Sequence, residues 1–350
     1  MADDHHAGLP IMRVSPAIGC LALLVATQAW AQSAPVSSST TSSHASSTVL
    51  PAVTVTGEQP GPGLWKVSKG DHVLWVLGTL TPLPRGMEWR SKEVEDTLAH
   101  SQELLEAPKA EVKVDVGFFG KLFLMPSVYS ARKNPGGATL EQILPAQMYA
   151  RWEHVKPQYF GNDRRIESWR PILVAMELYK KAVDKAGLTN RNDINKLVFT
   201  LADKHGVKRV PVKYKLTVEH PRAALDAIKQ TNLHDISCFN QTLNTVQNDM
   251  PSLTERANAW STGDIQTLRS YAVNDRYQSC VIAVLNAEFA EELGLRDLPK
   301  RMEQSWLQAA EAALTHNTQT FALLPMEEVL APDGYLAQLQ AQGYTVQAPE

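Results

Sequence analysis

Long stretches with a helical period fill the middle of the chain, and short apolar runs cluster towards its two ends. Val73-Leu74-Trp75-Val76-Leu77 is an apolar run closed by Gly78-Thr79, with Pro82 and Pro84 in the loop beyond. It reads as a buried strand whose C-terminal end opens on a surface cleft, which is where α/β proteins place their chemistry. Leu64–Ser68 before it, with the turn Lys69-Gly70-Asp71-His72, completes a hairpin. Glu103-Leu104-Leu105-Glu106 predicts a short strand halted by Pro108. Val207–Tyr214 predicts another, with Pro211 marking an edge or a strand end. Thr318–Leu324 and Tyr344-Thr345-Val346 are the last two.

Helices are predicted between these strands. Trp89–Ala99 has Ser91 as its cap, Phe118–Tyr129 is apolar and aromatic, and Thr139 opens a segment containing Glu141, Leu144 and Met148. Pro171–Ala186 sets Ile172, Ala175, Met176, Tyr179, Val183 and Ala186 on one face and ends at Gly187. Ile194–His205 takes Asp193 as cap and Gly206 as terminator. From Pro221 to His316 the expected pieces are Ala223–Lys229, His234–Val246, Leu253–Trp260, Ile265–Tyr271, Gln278–Leu293 and Met302–Thr315. Tyr335–Ala341 is a last short helix. The pattern predicts an α/β fold: a central mixed sheet built from N- and C-terminal strands, with a large helical insertion between them.

Composition narrows the function. The 350 residues carry a net charge of −3, which argues against a nucleic-acid surface, and 44% are hydrophobic. Ala17–Ala26 is apolar and Ala29-Trp30-Ala31 has small-x-small character, so residues 1–31 read as a signal peptide. Asp3 and Asp4 do not suit the start of a signal, whereas Met12-Arg13 does, so Met12 is a second candidate start. Residues 32–60 are rich in Ser and Thr and read as a disordered linker, with the folded domain at 61–350. The expectation is a periplasmic or secreted protein with no transmembrane segment after signal removal. Cys20 would leave with the signal. Cys238 and Cys280 remain, and an oxidising compartment favours a disulfide between them.

The order and spacing of several motifs resemble the TraB/GumN family, which includes the Tiki metalloproteases. The resemblance covers Leu64 to Val346 and rests on Leu64-Trp65-Lys66-Val67, Val73–Leu80, Leu104-Leu105-Glu106, Ala259–Asp264, Gly334-Tyr335-Leu336 and Gln342–Val346. It implies an α/β fold and, in active members, manganese or cobalt held by two Gly-x-x-His motifs and a glutamate. The metal would activate water for peptide-bond hydrolysis.

This chain departs from that pattern. Gly78-Thr79-Leu80-Thr81 keeps the glycine but has Thr81 at the histidine position, and Leu323-Leu324-Pro325-Met326 has Met326 there. Val212-Lys213 falls where an acidic residue is expected, and Arg301-Met302 where the family has Arg-Asn. Glu106 alone is retained. A hydroxyl and a thioether are poor ligands for a hard divalent ion. No cofactor is therefore expected. The expectation is a non-catalytic member acting as a binding or structural module for an unknown protein or peptide ligand. The alternative is a metal-dependent hydrolase with an altered ligand set, in which Glu106, Glu327 and Glu328 act with an unrecognised partner and manganese or cobalt is the ion. Gly78, Thr79, Glu327, Glu328 and Arg301 are the cleft candidates. The remaining histidines show no ligand spacing, and neither His-Glu-x-x-His nor Gly-x-Ser-x-Gly occurs.

Overall fold

The structure, a computed structural model, describes residues 59–114, 118–218, 220–230, 235–272, 295 and 297–349. The expected signal, nearly all of the linker, the helix at Gln278–Leu293, and Cys280 lie outside the described residues.

A six-stranded mixed sheet runs in the order β10-β1-β2-β9-β4-β7. Its strands are β1 (Trp65–Lys69), β2 (His72–Thr79), β4 (Glu103–Leu105), β7 (Lys208–Val210), β9 (Gln319–Pro325) and β10 (Thr345–Gln347). β1 and β2 form the antiparallel hairpin, turned at Gly70, whose φ of 63° suits a residue without a Cβ. β2, β9, β4 and β7 are mutually parallel. β9 enters between two strands from the first third of the chain, pairing Trp75 with Phe321 on one side and Leu104 with Phe321 on the other. Thr320 to Leu324 are all buried. Alternate side chains point to opposite faces, so both faces of the sheet are covered.

Helices α1 (Lys92–Ala99) and α6 (Asp193–His205) pack together, and α1 reaches β9. The long helix α11 (Leu298–His316) lies along β2, β4 and β9 with Trp306 fully buried. The short helices α12 (Met326–Leu330) and α13 (Tyr335–Ala341) close the C-terminal part, α12 against the end of β2.

A second core belongs to the insertion. Helices α3 (Leu140–Ile143), α4 (Ala146–Phe160), α5 (Pro171–Lys185) and α8 (Asp235–Asn244) surround Trp152, which is edge-on to Phe160 and Phe239. Its indole N–H donates to Glu167 at 3.0 Å. Arg170 meets Asp235 in a buried ion pair at 2.8 Å, and Arg151 binds Asn240, Asn244 and Gln247. The two cores are joined by a two-residue ladder of β3 (Leu83–Pro84) and β6 (Leu188–Thr189), and by Arg85 on Asp184 at 3.0 Å.

Some local expectations are corrected. Val207–Tyr214 is not one strand: Pro211 lacks an N–H for the ladder, and the chain leaves the sheet there. It resumes as β8 (Lys213–Val218), which pairs in parallel with β5 (Lys109–Val114) as a separate two-stranded sheet. The cap of α6 is Asn192, whose side chain accepts from the Asn195 N–H, and Asp193 is the first helical residue. Ser91 precedes α1 without a capping side-chain bond. Met176, placed by its period on the buried face of α5, is 49% exposed, and Ala186 is exposed beyond the helix end. α2 (Phe118–Ala131), α7 (Pro221–Gln230), α9 (Met250–Thr262) and α10 (Ile265–Ala272) complete the α-helices of the described residues.

Phe321→Ala would empty the centre of the sheet, where the ring is fully buried. It is expected to lower unfolding free energy by about 3–5 kcal/mol, read from urea titration.

Candidate functional site

Because β2, β9 and β4 are adjacent and parallel, the residues that follow them share one edge of the sheet. Thr79 sits beside Pro325 in register, so Leu80-Thr81 and Met326-Glu327 emerge next to each other. Glu106 follows β4 on the next strand over, and its backbone N–H donates to the Val210 carbonyl at 3.0 Å. His72 begins β2 at the opposite edge, where its Nδ1 meets the Asn317 carbonyl at 2.6 Å.

The side chains at this edge are committed to one another. A Cβ added to Gly78 would lie 2.5 Å from Cε and 2.7 Å from Sδ of Met326, so the buried thioether occupies the space over the glycine. The Gly78 carbonyl accepts from the indole N–H of Trp260 on α9 at 2.8 Å. The Thr79 hydroxyl donates to the Leu324 carbonyl at 3.3 Å. Arg256, also on α9, donates to the Thr81 carbonyl at 2.9 Å.

Glu106 is buried, and cations hold both of its oxygens. Lys109 stands 2.8 Å from Oε2, and Arg209 reaches Oε1 through Nη2 at 2.6 Å and Nε at 3.1 Å. Arg209 is itself stacked on Phe199, 3.9 Å from the ring centroid. Burial pushes the Glu106 carboxyl up, but the hydrogen bonds and charges of Lys109 and Arg209 outweigh it, and the net shift is downward. Glu328 goes the other way: burial raises its carboxyl, and the charges of Glu327, Glu303 and Asp333 add to the rise. Arg301, near the start of α11, donates to the Tyr214 hydroxyl on β8 at 3.0 Å.

Thr81 and Glu327 line a cavity of about 960 Å³ between the sheet edge and the helical core. Its other walls are Trp169, Leu173, Met176, Glu177, Tyr179, Lys180 and Asp184 from α5 and the turn before it, Thr189 at the end of β6 with Asn190 and Arg191 beyond it, Arg132 and Arg256. Gly78, Thr79, Glu106, Met326, Glu328 and Arg301 are not among the residues that line it. The sequence reading missed Arg132, Arg191 and Arg256. Arg132 and Arg191 lie in loops and Arg256 in the middle of α9, and only the tertiary fold brings them to one cavity.

Manganese or cobalt, implied by the resemblance, does not fit these residues. Thr81 offers a neutral hydroxyl, Met326 a soft sulfur already packed on Gly78, and Glu106 has no oxygen without a cation against it. Among the described residues, no three His, Cys, Asp or Glu side chains are grouped to hold a metal ion.

Two outcomes test this geometry. Gly78→Ala is expected to cost about 1–3 kcal/mol in urea unfolding, with Met326→Ala in the same chain recovering part of it. A carboxyl whose folded-state pKa is lowered stabilises the fold above its unfolded pKa, and that contribution is lost as pH falls through the folded value. Glu106→Gln should therefore cost about 2 kcal/mol at neutral pH. The gap to the unmodified chain should close as pH drops below about 4.

Neither curated proteins nor solved structures provide a match. No helix of the described residues is long and apolar enough to cross a membrane. The model of the TraB/PrgY/gumN family matches residues 63–348, from the strand that opens the sheet to the strand that closes it. With that span covering most of its length, the chain belongs to the TraB/PrgY/gumN family.

Proposed function

We propose that this chain is a non-catalytic member of its family, exported to the periplasm or beyond, whose cleft binds a protein or peptide ligand. The observation that carries the reading is the state of Glu106. A carboxylate meant for a metal keeps a lone pair turned to open space, whereas this one is neutralised by Lys109 and Arg209 and held under the surface. The thioether of Met326 over Gly78 supports the same reading, because it fills the volume that an ion and its water would need. The cavity at Thr81 remains, with apolar and charged walls and a size suited to a short stretch of peptide.

A second reading draws on Glu327 and Glu328. Glu327 faces the cavity, and the raised carboxyl of Glu328 has the character of a proton donor. On this reading the chain is a hydrolase whose manganese or cobalt lacks imidazole ligands, and two adjacent carboxylates on a short helix would have to do their work. The non-catalytic reading is preferred because a water-activating site needs more ligands than that.

Purified chain exposed to manganese, cobalt and zinc, then desalted, is expected to retain no stoichiometric metal and to cleave no member of a quenched-fluorescent peptide library. Retained metal that is lost with Glu327→Ala, together with metal-dependent cleavage, would establish the hydrolase instead. Export carries its own test. Alkylation of the unreduced, unfolded protein should leave Cys238 and Cys280 unlabelled, and reduction should cost roughly 3–4 kcal/mol of stability.

A further inference from the structure

We infer that the cleft takes its ligand by an oxyanion, a carboxylate or a phosphoryl group, gripped by Arg132 and Arg191. The inference rests on the reading of the cleft as a peptide-binding site and names the group that is recognised. Four cations and three carboxylates line the cavity, and they are not equally available. Asp184 is taken by Arg85 at 3.0 Å, and Glu177 lies 3.8 Å from Lys180. Arg256 is spent on the Thr81 carbonyl.

Arg132 and Arg191 differ from these. The Arg132 guanidinium lies over the Trp169 ring, 5.9 Å from its centre, a contact that uses none of its N–H groups. Arg191 is anchored through its backbone, where the N–H donates to the Thr189 hydroxyl at 3.1 Å. No side chain among the described residues accepts from either guanidinium. Two forked donors with free N–H groups on the wall of one concave site match a planar or tetrahedral oxyanion, which accepts two parallel hydrogen bonds from each fork. Beside them, Leu173 and the exposed Met176 offer an apolar shelf for the side chain next to the charged group.

The probes are a pool of N-acetylated tetrapeptides as free acids, the same pool as C-terminal amides, an amidated pool containing phosphoserine, and inorganic phosphate, each titrated calorimetrically into the full chain. Free acids, phosphopeptides or both are expected to bind more tightly than the plain amides, and whichever does so identifies the source of the oxyanion. Arg132→Gln and Arg191→Gln should each weaken that binding roughly tenfold. Arg132→Lys should recover only part of the loss, and Arg222→Gln on α7 should change nothing. Circular dichroism of each variant confirms that it is folded. Equal binding of acids, phosphopeptides and plain amides would overturn the oxyanion while leaving the peptide cleft standing, and binding by no probe would overturn both. Cleavage of the peptides would overturn the non-catalytic reading alone, since the response of phosphate binding to the two arginine variants still decides the inference.

Discussion

The parallel pairing of β2 with β9 is the constraint on which the rest depends. Seven residue pairs, from Val73 with Gln319 to Thr79 with Pro325, join segments that lie about 246 positions apart. No local signal can form that ladder, so its loop-closure entropy is offset only when both faces of β9 are covered. The helices between the strands supply the cover and also keep a core of their own around Trp152. This pairing sets the loop after Gly78 beside the start of α12, and so places Thr81 and Glu327 on one wall of the cleft.

At that edge, chemistry and packing compete for the same volume. A metal centre requires open space and unspent lone pairs, while a stable strand end requires filled space and satisfied polar groups. At Gly78, Met326 and Glu106 the second demand is met, since each has its partner within van der Waals or hydrogen-bond distance. What remains open is displaced sideways, into the gap between the two cores. The helical core then contributes more of the wall than the sheet does.

The parts of the fold that were legible in the sequence are those with local causes. The β1–β2 hairpin, β9 and α5 announce themselves by period and by Gly or Pro punctuation, and Gly206 ends α6 at a φ of 67° as such a terminator should. What was not legible depends on partners distant in sequence. Lys109–Val114 does alternate polar and apolar residues, but its pairing with Lys213–Val218, 104 positions further on, cannot be read from that pattern. The grip of Arg209 on Glu106 spans 103 positions and exists because β4 and β7 are neighbours. Met176 shows the limit of helical periodicity: an apolar stripe on α5 looks the same whether it meets a core or an open cleft.

The pair β5–β8 stands outside the main sheet, so among the described residues the outer ladder of each strand has no partner. Such bare rims invite a foreign strand, and the danger grows with apolar character. Lys109, Lys113, Lys213 and Lys215 sit along these two strands, so an incoming chain would have to strip several ammonium groups of their water before it could zip on. The protein therefore guards these rims with charge at the place where Pro211 has ended the main sheet, while α11 packs against the pair.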